Sequence, residues 1–202
     1  MRMEIEVAPV VKPAVNSGSP PSGEVSSEDN HIYFYCDVTQ KSCLDLVKAI
    51  RKIDTQSCID ACVDRRTPAA IELHIHSYGG SVYSALAVID TILQCRSPVY
   101  THIEGGAASA GTLISMVGDR RFMGANSFAL IHQLSSVCWG KYEEMKDDMR
   151  NADQLMAHIV ALYVKHTKMP QAELAEILKK DLWFNADKCL EIGLVDEILE
   201  GL

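Results

Sequence analysis

From about residue 31 onward, apolar residues alternate with polar ones or recur at helical spacing, which predicts strands and helices in turn. In 71–76, IELHIH, isoleucine and leucine alternate with glutamate and histidine, as in a strand with one buried face. The stretch 81–95 has apolar residues at helical spacing, with Ser81 near its cap. The pattern also predicts strands over 31–38, 97–105, 120–124 and 127–133, helices over 42–53, 107–118, 141–167 and 170–180, and a helix, turn and strand over 186–199.

A strand–glycine–helix unit occurs twice in succession, at about 71–95 and 98–117. Gly79–Gly80 ends the first strand, and Gly105–Gly106 is expected to turn the chain after the second. Repeated units of this kind imply a layered α/β fold. In such folds the turns at the carboxyl ends of the strands carry the functional sites. The sequence therefore directs attention to the two glycine pairs.

The first thirty residues differ in composition from the remainder. Residues 8–30 are rich in proline, serine and glycine and poor in large apolar residues, so they cannot bury enough surface to offset their ordering entropy. We therefore expect a flexible, Pro/Ser-rich arm over 1–30 and one folded domain over 31–202. Whether the arm is a removable pro-segment stays open.

Composition and charge exclude several classes of function. The chain has 202 residues, 48% hydrophobic and 23% charged, which is ordinary for a globular domain. Its formal net charge of −8 argues against a nucleic acid or an anionic membrane as partner. No apolar run approaches the roughly 20 residues of a membrane span, and the N-terminus lacks the apolar region of a secretory signal.

The cysteines and histidines offer only weak metal-binding patterns. The seven cysteines are scattered through apolar segments, which indicates reduced core thiols and a cytoplasmic location. Cys58 and Cys62 could lie one helical turn apart, but no second pair completes four ligands. His74 and His76 share a strand face and are either a metal-ligating pair or a packed one. We expect neither a metal nor an organic cofactor.

The stretch GGAASAGTLISM, residues 105–116, places Ser109 among small residues before a helix. A helix N-terminus offers free N–H groups that suit a developing oxyanion. The pattern is a variant of the nucleophile elbow, with Ala107 in place of the first glycine. From these residues alone, Ser109 is either a nucleophile or a small residue at a close contact between two elements.

A serine nucleophile needs a base and an orienting carboxylate. His132 follows the apolar strand FALI and precedes an irregular stretch, so it could face a cleft. Asp181 lies between Lys180 and the apolar LWF, where it could also be a helix cap or a surface charge.

Five ordered motifs make the chain resemble the Clp protease proteolytic subunit family over residues 31–200. They are SYGGSV (77–82), GGAASAG (105–111), FALIHQ (128–133), HTKMPQAEL (166–174) and DLWFNADKCLEIGLVDEI (181–198). The resemblance implies a spiral of strand–turn–helix units, similar to that of the Clp proteases and the crotonases, with a protruding handle helix at 141–167. Tyr78 stands where proline is usual in this family.

The resemblance also assigns roles residue by residue. It implies Ser109 as nucleophile, His132 as general base and Asp181 as orienting acid. The backbone amides that bind the oxyanion would belong to Gly80 and Ala110. The residues flanking an extended peptide would be Ser81 and Val82 on one side and Leu134 and Ser135 on the other.

The resemblance implies a serine endopeptidase that hydrolyses peptides or unfolded proteins inside a homo-oligomeric ring. The family assembles heptameric rings, and two stacked rings would make a tetradecamer. Its usual partner is an AAA+ unfoldase, but the arm replaces the region that docks it, so this partnership stays open. The alternatives are an ATPase-independent processing protease, for example one that matures a viral capsid, a catalytically silent ring subunit, or an acyl-CoA enzyme of the crotonase type.

Overall fold

The computed structural model describes residues 25–200; residues 1–24 of the expected arm and the last two residues lie outside the described part of the chain. Residues 25–28, which the sequence assigned to the arm, form a strand that pairs with the next one, so the folded part begins before His31. The described strands are β1 Val25–Glu28, β2 His31–Phe34, β3 Ile71–Ser77, β4 Val99–Ala108, β5 Arg120–Gly124, β6 Phe128–Leu130, β7 Trp183–Asn185 and β8 Glu197–Leu199. The described helices are α1 Gln40–Asp64, α2 Val82–Gln94, α3 Ala110–Ser115, α4 Tyr142–His166, α5 Gln171–Ile177 and α6 Ala186–Glu191.

The strands form one sheet in the order β1-β2-β3-β4-β5-β8, and β6 pairs with both β4 and β7. The pairs from β2 to β8 along this order are parallel, whereas β1 and β7 join antiparallel. Parallel pairing follows from the helices that connect successive strands. The layered α/β class predicted from the repeated units is confirmed.

The core lies between the sheet and the helices. The apolar residues of β3 are fully buried and its glutamate and histidines are half-buried on the other face, as their alternation predicted. Leu46 and Ile50 of α1 and Val88 of α2 are also fully buried. Burying such a side chain contributes about 1.5–3 kcal/mol. Ser81 caps helix α2 as predicted, and its hydroxyl accepts a hydrogen bond from the Ser84 amide.

Helix α1 is much longer than the 42–53 predicted from its apolar spacing. Its second half exposes Ile59 and Val63, so periodicity gives no signal there, yet no residue breaks the helix before Arg65 adopts a left-handed conformation. Pro68 follows shortly after and prevents its continuation.

The expected turn at Gly105–Gly106 is wrong. Strand β4 continues through both glycines to Ala108, so the next helix begins at Ala110 rather than at 107. Gly105 has φ +70°, and beyond it β4 leaves β5 and pairs with β6. A residue with a positive φ bends the strand, and glycine adopts this conformation at no steric cost.

Candidate active site

Ser109 occupies the junction between β4 and α3. Its backbone is in a rare conformation, φ 55° and ψ −121°, and its amide donates to the Leu130 carbonyl at 3.0 Å. Positive φ is uncommon for a residue with a Cβ atom and marks a sharp turn that the surroundings enforce. The Ser109 hydroxyl makes no capping hydrogen bond to α3. The turn therefore presents a half-buried hydroxyl that the helix does not use.

His132 reaches the same place through β6. Because β4 and β6 are parallel, with Ala108 opposite Leu130, their carboxyl ends lie side by side. Ser109 lies one residue beyond one strand and His132 two residues beyond the other. Both side chains line one narrow cleft.

Asp181 faces His132 because of the antiparallel register of β6 and β7. Leu130 pairs with Trp183, and continuing that register by two residues brings His132 opposite Asp181. The His132 Nδ1 and Asp181 Oδ1 atoms are 3.6 Å apart, and the Asp181 side chain is 83% exposed. This separation is within range of an ion pair but longer than a hydrogen bond.

The two amides expected to bind an oxyanion flank Ser109. The Val38 amide donates to the Gly79 carbonyl at 2.8 Å, and the Ser81 amide donates to the Val38 carbonyl at 2.7 Å. In this parallel bridge the amide of Gly80 points away from Val38, and Gly80 lines the cleft with Ser109. Ala110 is the first residue of α3, so its amide has no carbonyl partner within the helix.

Gly80 is required at its position by two independent constraints. Its φ is +140°, and a Cβ atom there would lie 2.3 Å from the Val38 carbonyl oxygen. A larger residue would therefore have to move the loop that carries the amide.

Of the four residues expected to flank a peptide, three line the cleft and one lies elsewhere. Val82, Leu134 and Ser135 line the cleft with Gly80. Ser81 is not among the lining residues, because it faces the groove between α1 and α2 and its hydroxyl caps α2.

Sequence reasoning missed the floor of the cleft. Leu113, Ile159 and Tyr163 line it, and the buried Tyr163 hydroxyl is 2.6 Å from Thr112 Oγ1. Burial raises the pKa of Tyr163 well above its usual range, so the phenol stays protonated. Ile159 and Tyr163 lie on the apolar side of the helix predicted over 141–167, but helical spacing alone does not indicate which cleft they line.

The alternative metal ligands take part in other contacts. His74 stacks on Tyr33 and His102 with ring centroids 4.7 Å away on each side, and its Nδ1 atom is 2.7 Å from Glu104 Oε1. Among residues 25–200, no group of three or more histidine, cysteine or acidic side chains is arranged to hold a metal ion. His74 is thus a packed, hydrogen-bonded residue of the sheet.

No helix in the described part of the chain is long and apolar enough to cross a membrane.

All seven cysteines lie in the described part of the chain, and all are free thiols. Burial raises the pKa of Cys43 and Cys95 to about 11 and that of Cys189 to about 12, which makes these thiols unreactive at neutral pH.

The family model and the similar proteins of known name all indicate the same family. The family model described as Clp protease matches residues 28–201. An ATP-dependent Clp protease proteolytic subunit from Deinococcus radiodurans is 32% identical over 132 residues, which cover 64% of this chain and 65% of that protein, slightly less than two thirds of its length. An ATP-dependent Clp protease proteolytic subunit 1 from Chlamydia pneumoniae is 31% identical over 176 residues, covering 85% of this chain and 87% of that protein.

The fold also occurs among solved structures. One example is an asparagine-to-aspartate mutant of ClpP1 from Listeria monocytogenes, with a TM-score of 0.75 and 21% sequence identity. The match covers 86% of this chain and 92% of the other. The fold expected from the five motifs is confirmed.

Proposed function

The chain belongs to the Clp protease family of serine endopeptidases, and from this premise we propose that Ser109, His132 and Asp181 form its catalytic triad. The observation that carries the proposal is the meeting of three strand ends. Ser109 after β4 and His132 after β6 line one cleft, and Asp181 before β7 faces His132, although the three residues are far apart in the sequence. A base beside a strained serine, with a carboxylate behind the base, is the arrangement needed for acyl transfer.

In the proposed mechanism, His132 removes the proton from the Ser109 hydroxyl as its oxygen attacks the carbonyl carbon of the peptide bond. The amides of Gly80 and Ala110 donate hydrogen bonds to the oxyanion that forms. The protonated His132 then gives its proton to the leaving amine, which departs and leaves an acyl group on Ser109. Water, deprotonated by His132, attacks the ester; as the carbon–oxygen bond to Ser109 breaks, His132 returns the proton to the Ser109 oxygen and the second product leaves.

Asp181 has the role of orienting the His132 ring and stabilising its protonated form. A hydrogen bond requires the 3.6 Å separation to shorten by about 0.7 Å. The exposed carboxylate can make this movement, because within residues 25–200 its only salt-bridge partner is His132.

The main-chain edges of the cleft suit an extended substrate. Val82 on one side and Leu134 and Ser135 on the other line the cleft, and the proposed substrate pairs with the backbone along these edges. Such pairing gives affinity with little selection among side chains. Peptides and unfolded proteins are therefore the proposed substrates.

The test is acylation of the purified protein by a fluorophosphonate, measured by intact mass. We expect one adduct on the unmodified sequence and none on Ser109→Ala or His132→Ala. Ser57→Ala and His158→Ala, which change the same residue types outside the cleft, should label at the normal rate. Absence of an adduct on the unmodified, assembled protein would contradict the triad and favour the catalytically silent ring subunit.

The assembly and partners are also proposals. The relatives named above are ATP-dependent proteolytic subunits, and we propose a homo-oligomer of two stacked heptameric rings with an AAA+ unfoldase as partner. We propose a folded domain that begins at Val25 rather than at residue 31, because Val25 is the first residue of β1. The free thiols support a cytoplasmic location. Stimulation of protein degradation by a hexameric unfoldase would support this partner and argue against an ATPase-independent processing enzyme.

A further inference from the structure

Two exposed aromatic rings, Tyr78 and Trp183, meet beside the candidate active site. Their centroids are 6.2 Å apart and their planes are at 80°, an edge-to-face arrangement. A Cβ atom built on Gly106 would lie 3.7 Å from the Trp183 ring and 3.8 Å from the Tyr78 ring. Both rings therefore lie within van der Waals reach of β4, three residues before Ser109.

Each ring belongs to a segment that carries part of the site. Tyr78 directly precedes Gly79 and Gly80, and Trp183 follows Asp181 by two residues. The ring pair thus connects the loop that presents an oxyanion donor to the segment that presents the acid. Neither loop is joined to the other by a hydrogen bond within the described residues.

The Asp181 segment has few other anchors. On one side the Gln133 amide donates to the Leu178 carbonyl at 3.0 Å, and on the other Trp183 begins the pairing of β7 with β6. Between these points the Asp181 side chain is mostly exposed, so its position depends on how firmly Trp183 is held.

The Tyr78 side of the contact is supported from within the sheet. His76 packs edge-on to Tyr78 with centroids 5.5 Å apart, and the Gly106 amide lies 3.1 Å from His76 Nδ1. His76 is half-buried. The ring of Tyr78 therefore has one fixed neighbour in the sheet and one in the Asp181 segment.

We propose that Tyr78 and Trp183 are positioning residues, which hold the Asp181 segment against the loop of Gly79 and Gly80 and so set the distance between the Asp181 carboxylate and the His132 ring. The inference rests on the proposed function, because it takes the triad as given. Neither ring is among the residues that line the cleft of Ser109 and His132, and in the proposal each acts through Asp181.

The test measures hydrolysis of a peptide and acylation of Ser109 by a fluorophosphonate, in full-length protein of verified assembly. Trp183→Ala and Tyr78→Ala should each lower kcat and the acylation rate by roughly three- to tenfold, the range expected for one aromatic pair. KM should not change. Trp183→Phe and Tyr78→Phe, which keep a ring, should retain most of the rate.

Two controls separate positioning from a general structural effect. Tyr100→Ala removes a ring pair of similar geometry, 6.2 Å and 67° to Phe122, on the same sheet but nine residues before Ser109, and should leave the rate unchanged. In an Asp181→Asn background, Trp183→Ala should add no further loss, since both changes act on one contact.

The two proposals fail in different ways. If the unmodified protein forms no Ser109 adduct, the proposed function is wrong. If it is labelled but Trp183→Ala and Tyr78→Ala both react at the normal rate, the positioning role is wrong. The role is also wrong if Trp183→Ala lowers the acylation rate as much in the Asp181→Asn background as it does alone. If Trp183→Ala does not fold, Trp183→Leu and the Tyr78 variants provide the same test. A normal acylation rate in these variants would also contradict the positioning role.

Discussion

At the scale of single residues, Gly80 is the position where the backbone constrains the chemistry most directly. We expect Gly80→Ala to lower kcat/KM for a peptide by on the order of 100-fold, the usual cost of losing one oxyanion donor. The reason is steric, because the new Cβ would lie 2.3 Å from the Val38 carbonyl oxygen and displace the amide. Gly106→Ala, whose Cβ meets ordinary contacts of 3.7 Å or more, is the matched control. Normal activity in Gly80→Ala would remove this amide from the mechanism.

A second residue-scale property is the stacked histidine of the sheet face. His74 lies between Tyr33 and His102, and its two ring nitrogens approach Glu104 and His31 at 2.7 and 2.9 Å. The Tyr35 hydroxyl donates a hydrogen bond to the same Glu104 carboxylate. The imidazole is therefore enclosed by groups that leave little room for hydration of a positive charge.

This environment makes stability depend on pH. Burial, together with His102 and His31, lowers the pKa of His74 to about 4, while Glu72 opposes the shift. The unfolded chain takes up the proton near pH 6.5 and the folded chain only near pH 4, so stability is lost as pH falls through that window. We expect the free energy of unfolding to drop by about 1–3 kcal/mol from this group. Urea unfolding at pH 7 and pH 4.5 should show a smaller drop in His74→Gln, whereas the exposed control His158→Gln should behave like the unmodified chain.

At the scale of elements, Arg121 joins several chain segments. Its guanidinium pairs with Asp196 and donates to the carbonyls of His166 and Gly193, and its side chain is only 15% exposed. Arg121 holds the pKa of Asp196 below its usual range. One side chain therefore fixes the end of α4 and the turn before β8 relative to β5.

We expect Arg121→Ala to destabilise the fold by about 2 kcal/mol, because it leaves two part-buried carbonyls without this donor and removes the guanidinium from the Asp196 carboxylate. Amide hydrogen exchange should rise at the end of α4 and around Gly193 before it rises in β3. Arg120→Ala is the control, since Arg120 forms an exposed pair with Glu197 and lies over the rings of Tyr100 and Phe122 without donating to a backbone carbonyl. Equal effects of the two substitutions would contradict the special role of Arg121.

The elements also show how far the sequence could predict the structure. Alternation in β3 and helical spacing in α2 allowed both elements to be predicted, because burial of one face makes apolar residues recur at the period of the element. The continuation of β4 through Gly105–Gly106 could not be predicted, because it depends on pairing with β6, a strand twenty residues later. Local glycine chemistry alone favours a turn.

The same distinction holds for the candidate site. Ordered motifs singled out Ser109, His132 and Asp181, but the register that places Asp181 opposite His132 comes from β6 and β7, some fifty residues apart. The contact of Tyr78 with Trp183 across Gly106 is likewise a result of strand order. Side-chain contacts between distant strands leave no periodic signal in a single sequence.

At the scale of the whole molecule, the single chain leaves several large apolar side chains exposed near one another in the sequence. They precede and follow the start of α4, the helix that the family resemblance identifies as a ring-to-ring handle. Val137 and Trp139 are each 92% exposed, Tyr142 is 67% exposed and Met149 is 55% exposed. Exposed apolar patches of this kind mark interaction surfaces. The proposed occupant is the corresponding surface of a second ring.

This surface leads to a prediction about assembly. We expect Trp139→Ser combined with Met149→Glu to convert stacked rings into single rings, because a charge and a hydroxyl replace apolar contact area. Val63→Ser, a change at a residue 76% exposed near the end of α1, is the matched control and should leave the assembly intact. Sedimentation velocity distinguishes the species by mass, and labelling of Ser109 in the same samples reports the site. An unchanged mass distribution in the double variant would place the contact between rings elsewhere, and a monomeric unmodified protein would contradict the ring itself.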